Sequence, residues 1–147
     1  MRRRFRVLWV GRTKERYIAE GIEGYLKKLK PLSEIEVVQI REGSMKNRAR
    51  GMRMEEERIL RSAGSFILFK ESGTKMDSIE FAEYLNNRQA ATFVIGGAYG
   101  VTHAVENAAG EVISLSPMTF THEMVRLIFL EQLFRGMTII KGMRYHH

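Results

Sequence analysis

The chain has 147 residues, enough for one complete hydrophobic core and too few for two ordinary domains. Hydrophobic residues make up 44% and charged residues 28%, as in globular proteins, and the absence of cysteine excludes a disulfide framework and a thiolate metal site. A formal charge of +7 fits a polyanionic partner, RNA most simply, and equally a basic protein that binds none.

The first half of the chain alternates predicted strands and helices. Residues 4–11 carry apolar side chains on both faces, which predicts a strand covered from both sides. A helix that Thr13 would cap follows, and then a second strand over residues 34–41. A second helix is predicted from about Asn47 to residue 63, with Gly64 as its stop signal.

The second half continues the alternation. A third strand is predicted over residues 65–70, followed by a turn over residues 71–75 and a helix capped by Ser78. This alternation predicts an α/β fold, a single domain over residues 1–147 with a mostly parallel sheet flanked by helices. The remaining predicted elements are a strand over residues 91–95, a short helix capped by Thr102, a strand over residues 111–115 and a last helix over residues 122–136.

Two of the predicted strands run straight into irregular loops, residues 96–100 and 116–121. The carboxyl ends of neighbouring parallel strands form a crevice, which is where open α/β sheets bind ligands. The glycine-rich loop matches neither a P-loop nor a dinucleotide fingerprint, and such a loop alone is more often a tight turn. The position of this loop after a buried strand favours a ligand-binding role. A backbone free of Cβ atoms can lie close to a flat adenine ring.

The last predicted helix is apolar almost all the way round, whereas a helix that covers one sheet face needs a single apolar stripe. We therefore predict a homodimer in which the second face meets another copy of the chain. The alternative is a central helix buried within one chain. The apolar residues concerned are Met124, Val125, Leu127, Ile128, Phe129, Leu130, Leu133 and Phe134.

Basic residues cluster in three places: the first is Arg2, Arg3, Arg4 and Arg6 at the start of the chain, and two more follow. One cluster begins the second helix, and the three glutamates that follow make a solvated helix face at least as good an interpretation as RNA contact. The other cluster ends the chain, where Arg144 adjoins Tyr145, His146 and His147, a composition typical of sites that hold an unpaired base. The alternative for this last cluster is a frayed tail.

The sequence shows no clear pattern for a metal site or for a membrane-spanning segment. None of the four histidines has a zinc-binding spacing. The apolar run near the N-terminus is too short for a signal peptide, and no run approaches the length of a membrane span. We therefore expect a cytoplasmic protein that needs no metal.

Four stretches carry a family resemblance: FVIGGAYG, SLSPMTFTHEMVR, EQLFRGMTII and the closing Tyr145-His146. Together they resemble the small bacterial SPOUT-class methyltransferases, most closely the family that methylates N3 of a pseudouridine in the helix 69 loop of 23S ribosomal RNA. The match spans essentially the whole chain. It implies a C-terminal trefoil knot, binding of S-adenosyl-L-methionine, an obligate homodimer and the ribosome or its 23S RNA as partner.

The resemblance also implies site residues. By position, the family's tail makes residues 141–147 substrate-contacting, with His146 assisting departure of the imino proton and Tyr145 stacking on or orienting the base. Arg126, Arg144 and His147 are expected to contact RNA, with a structural ion pair as the alternative for Arg126, and His147 stands where the family commonly has Arg or Lys. The implied cofactor contacts are Phe69, where the family usually has Leu, and Gly97, Ser116, Pro117, Met118, Thr119, Phe120 and Thr121.

The predicted function is therefore S-adenosylmethionine-dependent methylation of 23S ribosomal RNA. Two alternatives stay open, a SPOUT methyltransferase that acts on transfer RNA and a non-catalytic, ribosome-associated RNA-binding protein. Intact cofactor-loop residues argue against the second. The lack of an added RNA-binding domain argues mildly for a ribosome-sized substrate.

Overall fold

Five strands and five helices alternate along residues 2–147, the part of the chain that the computed structural model describes. All strands pair in parallel, in the order β2-β1-β4-β3-β5, which confirms the predicted α/β class. The strands are β1 (Arg4–Val10), β2 (Glu34–Ile40), β3 (Ile67–Lys75), β4 (Ala90–Ile95) and β5 (Glu111–Ser114), and the helices are α1 (Arg16–Leu29), α2 (Arg48–Ala63), α3 (Ser78–Asn86), α4 (His103–Ala108) and α5 (His122–Ile140).

The sheet is covered on both faces, as the apolar pattern of its first strand predicted. Phe5 and Val7 of β1 face a core shared with α1, α3 and α5. Leu8 and Val10 of the same strand face a smaller core shared with α2 and α4. Because successive side chains of a strand point to opposite faces, one apolar strand supplies both cores.

Strand β3 is longer than predicted, since residues 71–75 continue it rather than forming a turn. Its pairing with β5 shifts register between Phe69 and Thr74. A Cβ atom on Gly73 would lie 2.7 Å from the backbone of Ile113, so the close approach of β5 requires glycine here. The bulged segment remains at the carboxyl edge of the sheet.

Two predicted helix caps are wrong. The side chain of Thr13 does not cap α1, whose N-cap residue is Glu15. Helix α3 is capped by Asp77, one residue earlier than predicted, and Asp77 and Glu80 form a reciprocal capping box. The hydroxyl of Ser78 instead donates to Gln132 of α5 at 2.7 Å.

Helix α5 continues one turn past Gly136, which the sequence suggested as its end. Gly136 is buried, and a Cβ atom there would lie 2.7 Å from a methyl of Leu85, so this glycine serves the approach of α3. Because α5 contacts both α1 and α3, burial within one chain accounts for most of its apolar surface. Met124, Leu127 and Ile128 are left half-buried, and the homodimer stays a prediction.

The path after β5 places the start of α5 far from β5 itself. Strand β5 lies at the sheet edge beside β3, yet Glu123 and Arg126 of α5 bond the segment that follows β1. The connecting loop therefore crosses the carboxyl ends of β3 and β4. A knot needs such a return of the chain, and the trefoil knot itself stays a prediction from the resemblance.

Candidate functional site

A cleft of about 600 Å³ lies at the carboxyl edge of the sheet. It is walled by the bulge of β3, the glycine loop after β4 and the loop after β5, so the two loops singled out in the sequence do meet. Of the predicted cofactor contacts, Pro117 and Thr121 do not line the cleft, and Thr121 instead caps α5 by accepting from the Met124 N–H at 3.3 Å. The predicted cofactor contacts that do line the cleft are Phe69, Gly97, Ser116, Met118, Thr119 and Phe120.

One wall of the cleft is apolar and fixed in place. The ring of Phe69 stacks on Phe93 with centroids 5.6 Å apart and meets Phe129 of α5 at 5.0 Å. Phe93 and Phe129 are fully buried, so Phe69 presents a rigid aromatic surface to the cleft. Such a wall suits the face of a planar ring.

The glycine loop is both a tight turn and a cleft wall, so the two interpretations of the sequence are compatible. The Gly100 N–H donates to the Gly97 carbonyl at 3.0 Å, and Gly100 has a φ of +77°, a conformation that favours glycine. A Cβ atom on Gly96 would lie 3.0 Å from the backbone of Gly100. The loop therefore presents main-chain donors and acceptors to the cleft.

The loop after β5 is tied to the bulge of β3. Thr119 donates its hydroxyl to Glu71 at 3.2 Å, and Ser116 accepts from the Met118 N–H at 3.0 Å. The sequence missed Glu71 because its segment was predicted to be a turn. Met118 is 72% exposed and stands at the cleft mouth.

His122, at the start of α5, lines the cleft beside these loops. Burial, and then the positive charge of Arg126, lower the pKa of His122. Its imidazole is consequently neutral at neutral pH and able to accept a hydrogen bond. The sequence favoured a packing role for His122, and a side chain in the cleft wall can still have that role.

Arg126 is fully buried, which corrects its assignment as an RNA contact. Its guanidinium donates to the Val10 carbonyl at 2.6 Å and to the Thr13 hydroxyl at 2.9 Å, and lies 5.2 Å from the ring of Trp9. These bonds fix the turn after β1 beneath α5. The role is structural, as the alternative anticipated, although the partners are hydrogen-bond acceptors rather than a paired carboxylate.

The C-terminal tail is docked on α5, which excludes the frayed alternative in this structure. Tyr145 donates its hydroxyl to Glu131 at 2.6 Å, and its ring meets Phe134 edge-on with centroids 4.8 Å apart. Arg135 bonds Glu131 at 2.8 Å and lies 3.1 Å from Nδ1 of His146. Arg144 and His147 are exposed.

The charges beneath the tail hold it in place. Although burial acts to raise it, hydrogen bonds from Arg135 and Tyr145 leave the pKa of Glu131 lowered, so this carboxylate is ionised at neutral pH. Burial, followed by the bond to Glu131, raises the pKa of Tyr145, which keeps its hydroxyl protonated. The tail is thus a defined feature of the surface.

The tail and the cleft of one chain are not brought together. His122 lines the cleft, whereas the tail packs against Glu131 and Arg135 further along α5. At about 1.5 Å of rise per residue, His122 and Arg135 are roughly 20 Å apart along the helix axis, and the nearer pair, Val125 in the cleft wall and Glu131 beneath the tail, is about 9 Å apart. The predicted catalytic pair therefore does not border the cleft of its own chain.

Residues 2–147 contain neither a candidate membrane span nor a candidate metal site. No helix there is both long enough and apolar enough to cross a membrane. No group of three His, Cys, Asp or Glu side chains there has a metal-binding arrangement.

Comparison with known proteins adds a family and a fold. The profile of a family described as predicted SPOUT methyltransferase matches residues 3–146. Ribosomal RNA large subunit methyltransferase H of Thermodesulfovibrio yellowstonii is 43% identical, over 98% of this chain and 99% of that protein. Two solved structures share the fold. A tRNA methyltransferase from Aquifex aeolicus is 17% identical with a TM-score of 0.55, over 92% of this chain and 70% of that one. The SpoU methyltransferase AviRb of Streptomyces viridochromogenes, in complex with AdoMet, is 12% identical with a TM-score of 0.51, over 98% of this chain and 60% of that one.

Proposed function

The chain belongs to the SPOUT methyltransferase family, and on that premise we propose that it methylates 23S ribosomal RNA with S-adenosylmethionine as the methyl donor. The proposed target is N3 of a pseudouridine in the helix 69 loop, on the ribosome and in the cytoplasm. The observation that carries the proposal is the cleft formed by the glycine loop and the loop after β5, in a chain similar over its whole length to a large-subunit RNA methyltransferase.

The residues of the cleft fit S-adenosylmethionine. The cleft volume of about 600 Å³ lies in the range of small-molecule sites. Phe69 and Ile95 offer apolar surface for the adenine ring, and the backbone of the glycine loop offers groups that bond its edge. When bound, the cofactor supplies a methyl group on a sulfonium, which passes to N3 as N3 loses its proton and the sulfur becomes a neutral thioether.

The protein must hold the acceptor base in line and receive the proton from N3. We assign base orientation to Tyr145 and proton transfer to His146. Because neither Tyr145 nor His146 lines the cleft of its own chain, we propose that each tail serves the cleft of the other chain in a homodimer. The half-buried apolar residues Met124, Leu127 and Ile128 support such an interface.

Sedimentation tests the dimer. At low micromolar concentration we expect about twice the chain mass of 17.0 kDa, a twofold assembly being the commonest outcome. We also expect no folded monomer on dilution, because the half-buried face of α5 would then meet water. A folded monomer under these conditions would overturn the dimer and leave the tail without a cleft to serve.

Methyl transfer from labelled S-adenosylmethionine distinguishes the candidate substrates. Assembled ribosomes, free 23S RNA and total transfer RNA, all from cells that lack the gene, would be tested in parallel. We expect label in 23S RNA, most strongly in the assembled ribosome, which supplies its own docking surface. Label in transfer RNA would favour a methyltransferase that acts on transfer RNA. Cofactor binding without methyl transfer would favour a non-catalytic RNA-binding protein.

A further inference from the structure

A second cavity, of about 350 Å³, lies on the other side of the glycine loop from the cofactor cleft. The loops after β1 and β2 and the first turns of α2 form its other walls. The two cavities share Gly97, Ala98, Tyr99 and His122, so only one loop and one side chain of α5 separate them. Ligands in the two cavities would therefore be adjacent.

The rim of the second cavity is cationic and carries an exposed aromatic ring. Lys14, Lys46 and Arg48 are all exposed there. Tyr99 is 61% exposed, and the guanidinium of Arg48 lies 3.8 Å from the centre of its ring. A planar cation already stacks on that ring, and a base that displaces Arg48 can stack there in its place.

The interior of the cavity is lined by carboxylates, two of which are held by backbone N–H groups. Glu55 accepts from the Gly43 N–H at 3.0 Å, and Glu123 accepts from the Lys14 and Glu15 N–H groups at 2.9 and 3.0 Å. The third, Glu42, lies against Gly11, and no hydrogen bond reaches its carboxylate from any part of residues 2–147. The charge of this carboxylate acts on Arg126 and His122 nearby, and its oxygens can still accept a bond from a ligand.

We propose that this second cavity holds the target nucleotide of the RNA, flipped out of its stack. Lys14, Lys46 and Arg48 bind its phosphate, and its base stacks on Tyr99 in the place that the Arg48 guanidinium now takes. Glu42 accepts the N1–H of the base, which leaves N3 for the methyl group and for the Tyr145 and His146 side chains of the other chain. This inference rests on the proposed function and names the acceptor site of the same reaction.

The charge pattern selects this occupant over the cofactor. Anionic groups inside a cavity disfavour a ligand carboxylate such as that of the cofactor's methionine moiety, and they favour a ring that presents N–H donors. A pseudouridine ring has two such donors, at N1 and N3. Cations at the rim suit a phosphate that remains near solvent, and the cavity volume of about 350 Å³ lies in the range of small-molecule sites.

The test is the double variant Lys46→Glu with Arg48→Glu, because both residues line only the second cavity. Lys27→Glu with Lys30→Glu is the matched control, since these exposed lysines lie at the carboxyl end of α1, the opposite edge of the sheet. We expect the cavity variant to lose at least about tenfold in kcat/KM for ribosomes at fixed salt, and the control to lose far less. S-adenosylmethionine affinity by calorimetry should stay within about twofold of the parent chain in both.

Glu42→Leu adds a measurement that general electrostatics does not explain, because it removes one negative charge, together with the acceptor, from a protein that binds a polyanion. Charge alone would strengthen RNA binding, whereas loss of the bond to the base should lower kcat/KM about tenfold. Normal turnover by both cavity variants, or an equal loss in the control, would overturn the inference. A loss of cofactor affinity in the cavity variant would assign the cavity to the cofactor instead. A parent chain that binds the cofactor but methylates no RNA would overturn the proposed function itself.

Discussion

Deleting Tyr145, His146 and His147 should lower methyl transfer by about four orders of magnitude and leave S-adenosylmethionine affinity and dimerisation nearly unchanged. Base positioning and proton transfer are each typically worth about 100-fold or more, and the deletion removes both. The tail does not line the cleft of its own chain, which is why cofactor binding should survive. Single-turnover transfer to ribosomes, with calorimetry for the cofactor, measures both quantities.

The matched control is His147→Ala, which keeps Tyr145 and its bond to Glu131. It should retain most of the activity. His146→Ala should keep RNA affinity better than Tyr145→Ala, because stacking supplies affinity while the imidazole acts on the proton. Turnover at the normal rate after the deletion would show that the catalytic assignment is wrong, and His122 in the cleft wall would be the next candidate.

The second large effect is expected at Gly97. A Cβ atom on Gly97 would lie 3.3 Å from a methyl of Val10, so the branched side chain of Gly97→Val must displace the loop from β1. We expect S-adenosylmethionine affinity to fall at least about 100-fold, because that loop supplies a wall of the cleft. The direction of this Cβ atom shows that the substitution would act through the loop position rather than by filling the cofactor site.

Gly24→Val is the control for this substitution. A Cβ atom on Gly24 meets nothing within 4 Å, so the same change there should leave the affinity intact. An unchanged S-adenosylmethionine affinity in Gly97→Val would show that the cofactor does not bind beside the glycine loop. Mixing Gly97→Val with the tail deletion tests the dimer further: regained activity means that the tail works across the interface, and no recovery favours action within one chain.

The order and type of the elements were predictable because β1 and its neighbours are apolar on both faces. Phe5 and Leu8 each belong to one of the two cores, and only a doubly covered parallel sheet satisfies both. Loop residues 96–100 and 116–121 were predictable as walls of one cleft because they follow buried strands. The family resemblance then named the cofactor.

The errors arise where tertiary contacts override local signals. Gly136 resembles a helix stop, but its missing side chain admits Leu85 of a neighbouring helix. Arg126 has the character of a surface cation, yet it bonds Val10 and Thr13 from a buried position 113 or more residues away in sequence. Local patterns carry no information on such partners, and the docking of Tyr145 on Glu131 was hidden for the same reason.

The central claim is that this chain methylates 23S ribosomal RNA, and nucleoside mass spectrometry of that RNA tests it most directly. RNA from cells with the gene, without it, and without it but carrying the Gly97→Val form would be digested and compared. We predict a methylated pseudouridine, mapped to the helix 69 loop, that is present only with the intact gene. The same methylated nucleosides in all three samples would contradict the account.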